Sequence, residues 1–215
     1  MADHDHAHDH AHDHDDSAHE HLDGAAHDED LEREARRLLA LSRIRQYGDT
    51  VLRMKAREVE SYDDDLERLV ERMTALMHEA NGVGLAATQV GVLRRLFVFV
   101  DEGEDRVIVN PTIAKHSKET EIDDEGCLSL REVLVPVERA KSVTIEGFDT
   151  KGEPVKFDLE LPASRVVQHE LDRDENLSQR EATLVVDLGV LRVLRDRRIH
   201  DDAILALVDE DEQST

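Results

Sequence analysis

The sequence predicts an α+β fold, because its extended segments are grouped together and its helical segments stand on either side of them. Helical spacing of apolar residues begins at Asp64 and returns from about Ser164. The stretches with the Val, Ile and Phe content or the alternation of strands are Arg95–Val100, Arg106–Asn110, Ser142–Phe148 and Val155–Leu161. Turns between them are marked by Gly103, Pro111 and Lys151-Gly152. A βαβ fold would instead alternate helices with strands.

Two helices are predicted before the strands. Leu31–Ser42 is charged and rich in Leu, which indicates a short helix that leads into the domain. Asp64–Ala80 is the clearer helix, and Asn81-Gly82 provides the residues that end it. Helical spacing predicts one apolar face for this second helix, formed by Leu66, Leu69, Met73, Leu76 and Met77.

Composition divides the chain into three zones. Residues 1–30 hold nine of the thirteen histidines and eleven acidic residues with few apolar side chains, so they are predicted to be disordered. This tail could bind Zn²⁺, Ni²⁺ or Cu²⁺ weakly, and a solubilising tail or an expression tag would explain the same composition. Residues 31–172 are predicted to form the folded domain, and residues 173–215 a divergent C-terminal segment.

Charge and cysteine content narrow the class of protein. The net charge of −24 would repel nucleic acid phosphates. Apolar stretches such as Leu96–Val100 are far too short to cross a bilayer, and the N-terminus lacks the basic and apolar regions of a secretory signal. A single cysteine, Cys127, excludes an intramolecular disulfide. We therefore expect a cytoplasmic protein that binds neither nucleic acid nor membrane.

The segment Gly82–Gly91, which reads GVGLAATQVG, is rich in small residues. Such residues let a backbone approach another group closely, and Gln89 offers an amide donor beside that surface. A tightly packed loop between a helix and a strand would need the same small residues. Both interpretations stay open from this segment alone.

The segment Glu125–Ser129 contains the single cysteine. Cys127 follows a glycine and the acidic residues Asp123–Glu125, which we expect to form a loop rather than an apolar strand. This setting favours a metal ligand or a nucleophile. The alternative is an inert buried residue, the commoner role of a lone cysteine.

The segment Gln168–Arg173 places His169 and Glu170 side by side on the last predicted helix. An imidazole there can hold a metal ion while the adjacent carboxylate reaches the water on that ion. In an H-E-x-x-H site the second His lies four residues after the first, on the same helix face. In this chain that position is Arg173. A bare His-Glu pair also occurs by chance in many proteins.

In their order and spacing, the segments GVGLAATQ, EGCLS and QHELD resemble the three signature motifs of the peptide deformylases. The lead-in Ile44–Arg53 is similar to the opening segment of that family, with Thr50 where Pro is usual. The resemblance runs from about Ser42 to Asp172 and stops within the third motif. It implies antiparallel sheets around a central metal-binding helix.

The resemblance also implies a hydrolase of protein biosynthesis, which removes the formyl group from the N-terminal formylmethionine of new polypeptides. Cys127 and His169 would bind one divalent metal ion, Fe²⁺ in many members and Zn²⁺ or Ni²⁺ in others. Glu170 would act as the general base on the metal-bound water. The partners would be N-formylmethionyl peptides and nascent chains at the ribosome.

Four further residues would contact the substrate if the resemblance holds. The Gln89 amide and the Leu128 backbone N–H would stabilise the oxyanion that forms at the formyl carbon. Gly84 would pair with the substrate backbone. Val83 would help to form the pocket for the methionine side chain.

The third metal ligand of the family is missing, because Arg173 stands where the second His is usual. Arginine cannot coordinate a cation, and its charge opposes metal binding. Three explanations are open. They are a reading-frame shift or gene-model error near codon 173, an inactive relative that binds peptide N-termini without turnover, and rescue by His200, Asp174 or a tail histidine. A metal-storage protein would explain only the first 30 residues.

Overall fold

The computed structural model describes residues 17–175 of the chain, with side chains described for residues 28–172. Three α-helices lie in this range: α1 Ser17–Ser42, α2 Asp64–Glu79 and α3 Ala163–Glu175. Its seven strands are β1 Gly84–Ala86, β2 Leu96–Asp101, β3 Glu104–His116, β4 Thr120–Cys127, β5 Leu130–Ala140, β6 Ser142–Phe148 and β7 Pro154–Glu160. Helices flank a group of strands, which confirms the α+β class predicted from the sequence.

The strands form two antiparallel units. Five of them make one sheet in the order β1-β2-β3-β6-β7, which places β1 at an edge. β4 and β5 form a separate two-stranded hairpin. The antiparallel arrangement implied by the family resemblance is therefore confirmed.

The side chains of β2 alternate between two apolar cores, because successive residues of a strand point to opposite faces of the sheet. Leu96 and Val98 join the core that contains the apolar face of α2. Phe97 and Phe99 join the core that contains the apolar residues of α3. The predicted apolar face of α2 is buried in full, which confirms the helical spacing of that segment. The two helices thus cover opposite faces of the sheet.

Helix α3 lies between the sheet and the β4–β5 hairpin. Val167 and Leu171 pack on the sheet side. The polar residues that bond to the hairpin are spaced i, i+3, i+4 and i+7 on one helix face: Arg165, Gln168, His169 and Asp172. Gln168 joins the two elements directly, since its side chain donates to the Ala140 carbonyl at 2.9 Å and accepts from the Ala140 N–H at 3.1 Å.

The β4–β5 hairpin is the main element that the sequence does not predict. Asp123–Glu125, expected in an acidic loop, lie in β4. Most residues of β4 are exposed, so the strand lacks the apolar alternation of a strand with one buried face. Backbone pairing with β5 and ion pairs to α3 hold it in place.

The turns expected at Gly103 and Lys151-Gly152 are confirmed, with positive φ angles of 80° at Gly103 and 83° at Gly152. The turn expected at Pro111 is wrong, because this residue lies inside β3. Asn110 has a φ of 52°, and the β3–β6 register shifts between Val109 and Thr112. This bulge accommodates a proline that cannot donate to the ladder.

Helix α1 is longer than the short helix expected over Leu31–Ser42, because it begins at Ser17. Residues 17–30, which composition assigns to the tail, thus lie in this helix, and the disorder expected of the tail stays a prediction. Residues 1–16 and 176–215 lie outside the described part of the chain. The second of these ranges is most of the predicted divergent segment, 173–215. Within residues 17–175, no helix is apolar enough over sufficient length to cross a membrane.

Candidate active site

One cavity of about 660 Å³ collects residues from all three sequence motifs. It lies where the loop after α2, the end of β4 and the face of α3 meet. Every site residue expected from the sequence lines it: Val83, Gly84, Gln89, Cys127, Leu128, His169 and Glu170. The fold therefore brings together segments that are separated by up to 87 positions in the chain, Val83 to Glu170.

Gly84 allows α3 to lie against β1. A Cβ atom on this residue would stand 2.8 Å from both Glu170 Oε1 and Val166 Cγ1. Any larger residue at this position would push the helix, and the buried carboxylate of Glu170, away from the strand. The small residues of the first motif thus place Glu170 at the cavity wall, which favours the site interpretation over a merely compact loop.

Gln89 is buried in the short 3₁₀ helix Ala87–Val90, and its amide is held at both ends. The Ala86 backbone N–H donates to Gln89 Oε1 at 2.8 Å. Gln89 Nε2 donates to Ser129 Oγ at 3.0 Å and lies 3.8 Å from Cys127 Sγ. These contacts fix the amide with its N–H groups toward the second motif.

The turn that follows β4 is held by the lead-in segment of the domain. Tyr47 donates its backbone N–H to the Ser129 carbonyl at 2.7 Å, and Gln46 Nε2 donates to the Leu128 carbonyl at 3.2 Å. The Ser129 N–H in turn donates to Cys127 Sγ at 3.2 Å. The sulfur therefore accepts from a donor that the lead-in segment keeps in place.

Glu125 fixes the ring of His169, a role that the sequence analysis missed. His169 Nδ1 lies 2.9 Å from Glu125 Oε2, so the ring donates from Nδ1 to this carboxylate. Nε2 is then the nitrogen with which the ring would bind a metal, since a carboxylate on one nitrogen sets the tautomer of the other. The sequence signal for this role is Glu125 itself, the first residue of the EGCLS segment, which the sequence analysis expects in an acidic loop.

The Glu125 carboxylate is 7% exposed and lies among positive charges. Arg139 binds both of its oxygens, at 2.9 and 3.0 Å, and Arg165 donates to it at 3.0 Å. Arg139 also pairs with Asp172 of α3. Burial alone would raise the pKa of Glu125, but the bonds from His169 and Arg139 outweigh it and lower the pKa to about 2.

The metal site implied by the family is matched in part. Cys127 and His169 both line the cavity and are suitable thiolate and imidazole ligands. Position 173 lies one turn of α3 beyond His169, where an arginine replaces the third ligand. Among the side chains of residues 28–172, no group of three His, Cys, Asp or Glu is arranged to hold an ion. His200, the tail histidines and the side chain of Asp174 lie outside that range.

Comparison with known proteins settles the family. The sequence model of the polypeptide deformylases matches residues 41–187, well over half of the chain. The chain belongs to the polypeptide deformylase family. The motif resemblance is therefore confirmed, and the match includes the position of Arg173.

Relatives and solved structures agree with membership of the deformylase family. The peptide deformylase of Thermotoga petrophila is 48% identical over 131 residues, which cover 60% of this chain and 79% of the relative. The crystal structure of the Thermotoga maritima peptide deformylase has a TM-score of 0.61 at 42% identity and covers 62% of this chain and 91% of its own. The crystal structure of Arabidopsis thaliana peptide deformylase 1B has a TM-score of 0.65 at 34% identity and covers 80% of this chain and 93% of its own. By this resemblance the chain is a peptide deformylase enzyme.

Glu125→Gln is expected to destabilise this deformylase in a pH-dependent way. The folded pKa of about 2 lies below the ordinary value of 4.5, so the ionised carboxylate contributes roughly 3 kcal/mol above pH 4.5. That contribution is lost as the pH falls from 4.5 through 2. Urea unfolding of wild type and variant between pH 7 and pH 3 should show their stability difference shrinking with acid. Glu153→Gln, at an exposed position, is the control. A stability difference that does not vary with pH would contradict this prediction.

Proposed function

We propose that this chain removes the formyl group from the N-terminal formylmethionine of newly made polypeptides by metal-assisted hydrolysis. The observation that carries the proposal is the convergence of Cys127, His169 and Glu170, from two distant segments, on one cavity. Membership of the deformylase family supports the same reaction. The proposed catalytic domain is residues 31–172, with residues 1–30 as a tail and 173–215 as a divergent segment.

Cys127 and His169 would hold the divalent ion, with Fe²⁺ the first choice and Zn²⁺ or Ni²⁺ as alternatives. When bound, such an ion supplies a water of lowered pKa near neutral pH. The contact between Glu125 and the His169 ring supports this assignment, because metal-binding histidines commonly donate their other nitrogen to a carboxylate. Two ligands hold an ion less firmly than three, so weak metal binding is expected of the chain with Arg173.

Glu170 is proposed as the general base, which takes a proton from water and passes it to the leaving amine. Its position on α3, buried and adjacent to His169, supports this role. The Gln89 amide and the Leu128 N–H are proposed to donate to the oxygen that becomes negative. One such preorganised donor contributes roughly 3–4 kcal/mol to transition-state stabilisation.

The substrate is proposed to bind along β1. This strand lies at the edge of the five-stranded sheet, and an edge strand can pair with an extended peptide. Gly84, the first residue of β1, lines the cavity and is proposed to pair with the peptide backbone. Val83 is 58% exposed beside it, which suits a wall of the pocket for the methionine side chain. Nascent chains at the ribosome, in the cytoplasm, are the proposed source of substrate.

A second candidate function is favoured by Arg173 alone. A relative with an incomplete metal site could keep the cavity and bind peptide N-termini without turnover. The edge strand and the apolar wall at Val83 do not depend on the metal, so peptide binding would survive. We keep the hydrolase as the proposal, because the residues around the proposed metal site are held in place. Glu125 orients the His169 ring, and Ser129 orients the Gln89 amide.

One assay on the purified full-length chain tests both candidates. Formate release from formyl-Met-Ala-Ser is measured with Fe²⁺, Zn²⁺ or Ni²⁺ added, and peptide binding is measured by calorimetry on the same samples. Slow, metal-dependent formate release supports the hydrolase. Binding of the peptide without formate release with any metal supports the inactive relative, and neither binding nor release overturns both.

A further inference from the structure

The last turns of α1 form part of the cavity wall. Glu34, Arg37 and Leu38 line it together with Leu41, at the spacing i, i+3, i+4 and i+7 that defines one helix face. Leu41 is buried in the core that contains α2, so the C-terminal end of α1 is fixed. Residues 28–40 precede the part of the chain that matches the deformylase family. Most of this wall therefore lies outside the segment that the family model matches.

The wall formed by α1 brings no net charge, because its two charged residues pair with each other. The Arg37 guanidinium pairs with the Glu34 carboxylate at 3.2 Å on the same helix face. Leu38 lines the cavity and is 49% exposed. Leu134 of β5 also lines the cavity and is 57% exposed. Two large aliphatic side chains from elements distant in sequence thus remain open to the same cavity as Val83.

The size of the cavity exceeds what a formylated methionine needs. A volume of about 660 Å³ lies within the range of sites that enclose a ligand of several hundred daltons, which corresponds to a short peptide. Val83 borders the proposed methionine pocket. Leu38 and Leu134 would then contact the residues that follow the formylmethionine in the polypeptide. An exposed aliphatic surface at a binding site favours apolar groups on the ligand.

We propose that α1 is a specificity-determining element, in which Leu38 together with Leu134 selects polypeptides with aliphatic residues directly after the formylmethionine. This inference rests on the proposed function, because it extends the same cavity. The occupant is the substrate chain itself, since the wall is continuous with the proposed site of formylmethionine. Glu34 and Arg37 pair with each other, so α1 itself adds no net charge to the cavity and its contribution to selection is that of Leu38.

Leu38→Asp in the full-length protein tests the role of α1, with Leu39→Asp as the matched control. Leu39 is the next residue of the helix and is 65% exposed, but it does not line the cavity. Dissociation constants for formyl-Met-Leu-Leu and formyl-Met-Ser-Ser are measured by calorimetry on the metal-free protein, so that neither peptide is hydrolysed. We expect Leu38→Asp to weaken binding of the Leu peptide about tenfold, the ratio expected for partial loss of one aliphatic contact. Binding of the Ser peptide should change by less than about twofold.

Leu38→Ala keeps the helix, because alanine is the best helix former, and should weaken binding of the Leu peptide by about threefold. Circular dichroism confirms that each variant is folded. Equal effects of the Leu38 and Leu39 variants, or equal losses for both peptides, would overturn the role of α1 while leaving the proposed function intact. A wild-type protein that binds neither formylated peptide would overturn the proposed function and this inference with it.

Discussion

Arg173→His is expected to raise the affinity of the chain for a divalent metal by at least about 100-fold and to raise formate release with it. The substitution restores an imidazole one turn of α3 beyond His169, on the same helix face. Loss of a residue that only orients a metal ligand already lowers metal affinity or activity by about 10–100-fold. Gain of a ligand should therefore change metal affinity by more. Metal per chain after competition with a chelator, and initial rates on formyl-Met-Ala-Ser, measure the two effects.

The control for this variant is Arg173→Gln, which removes the same positive charge without adding a ligand. If the charge of Arg173 alone opposed the metal, both variants would gain equally. We expect Arg173→Gln to gain far less than Arg173→His. No increase in metal content or rate for Arg173→His, in a protein whose helix content is unchanged, would contradict the assignment of position 173 as the missing ligand.

Glu170→Gln is expected to lower formate release by about 10²–10⁴-fold, the usual contribution of a positioned general base. The amide keeps the size of the side chain, so it fits beside Gly84 as the carboxylate does. Metal content and peptide affinity should therefore change little. The comparison is made in the Arg173→His background, where rates are expected to be high enough to measure so large a loss.

Glu132→Gln is the control for Glu170, because Glu132 is another carboxylate that lines the same cavity and has no proposed role in the reaction. It should retain most of the rate. A Glu170→Gln protein that releases formate within about threefold of its parent would contradict the proposal that this carboxylate moves the proton.

The parts of the fold that could be predicted from sequence are those with one buried face. Helix α2 shows this most clearly, because its five apolar residues recur at helical spacing and all are buried. Strand β6 was bounded correctly at Ser142–Phe148, since its core-facing residues alternate with partly exposed ones. Periodicity reports burial, so it identifies the elements that pack on a core.

The elements that sequence reasoning missed are held by long-range polar contacts. The β4–β5 hairpin carries few buried residues, and Glu125 is tied to Arg139, Arg165 and His169 across separations of 14, 40 and 44 positions. No local pattern encodes such contacts. The site residues themselves were found because the motif resemblance joined three segments that composition alone left ambiguous. The contribution of α1 could not be predicted, because its part in the cavity depends on how the helix packs.

X-ray absorption of the zinc-loaded full-length protein tests the central claim most directly, which is that Cys127 and His169 bind one ion beside Glu170. The chain has a single cysteine, so a thiolate bound to zinc reports Cys127 even when the histidine-rich tail is present. We predict one sulfur neighbour at about 2.3 Å and nitrogen neighbours at about 2.0–2.1 Å. In the Cys127→Ser variant the sulfur neighbour should be absent. A spectrum of nitrogen and oxygen neighbours alone, unchanged by Cys127→Ser, would contradict the account.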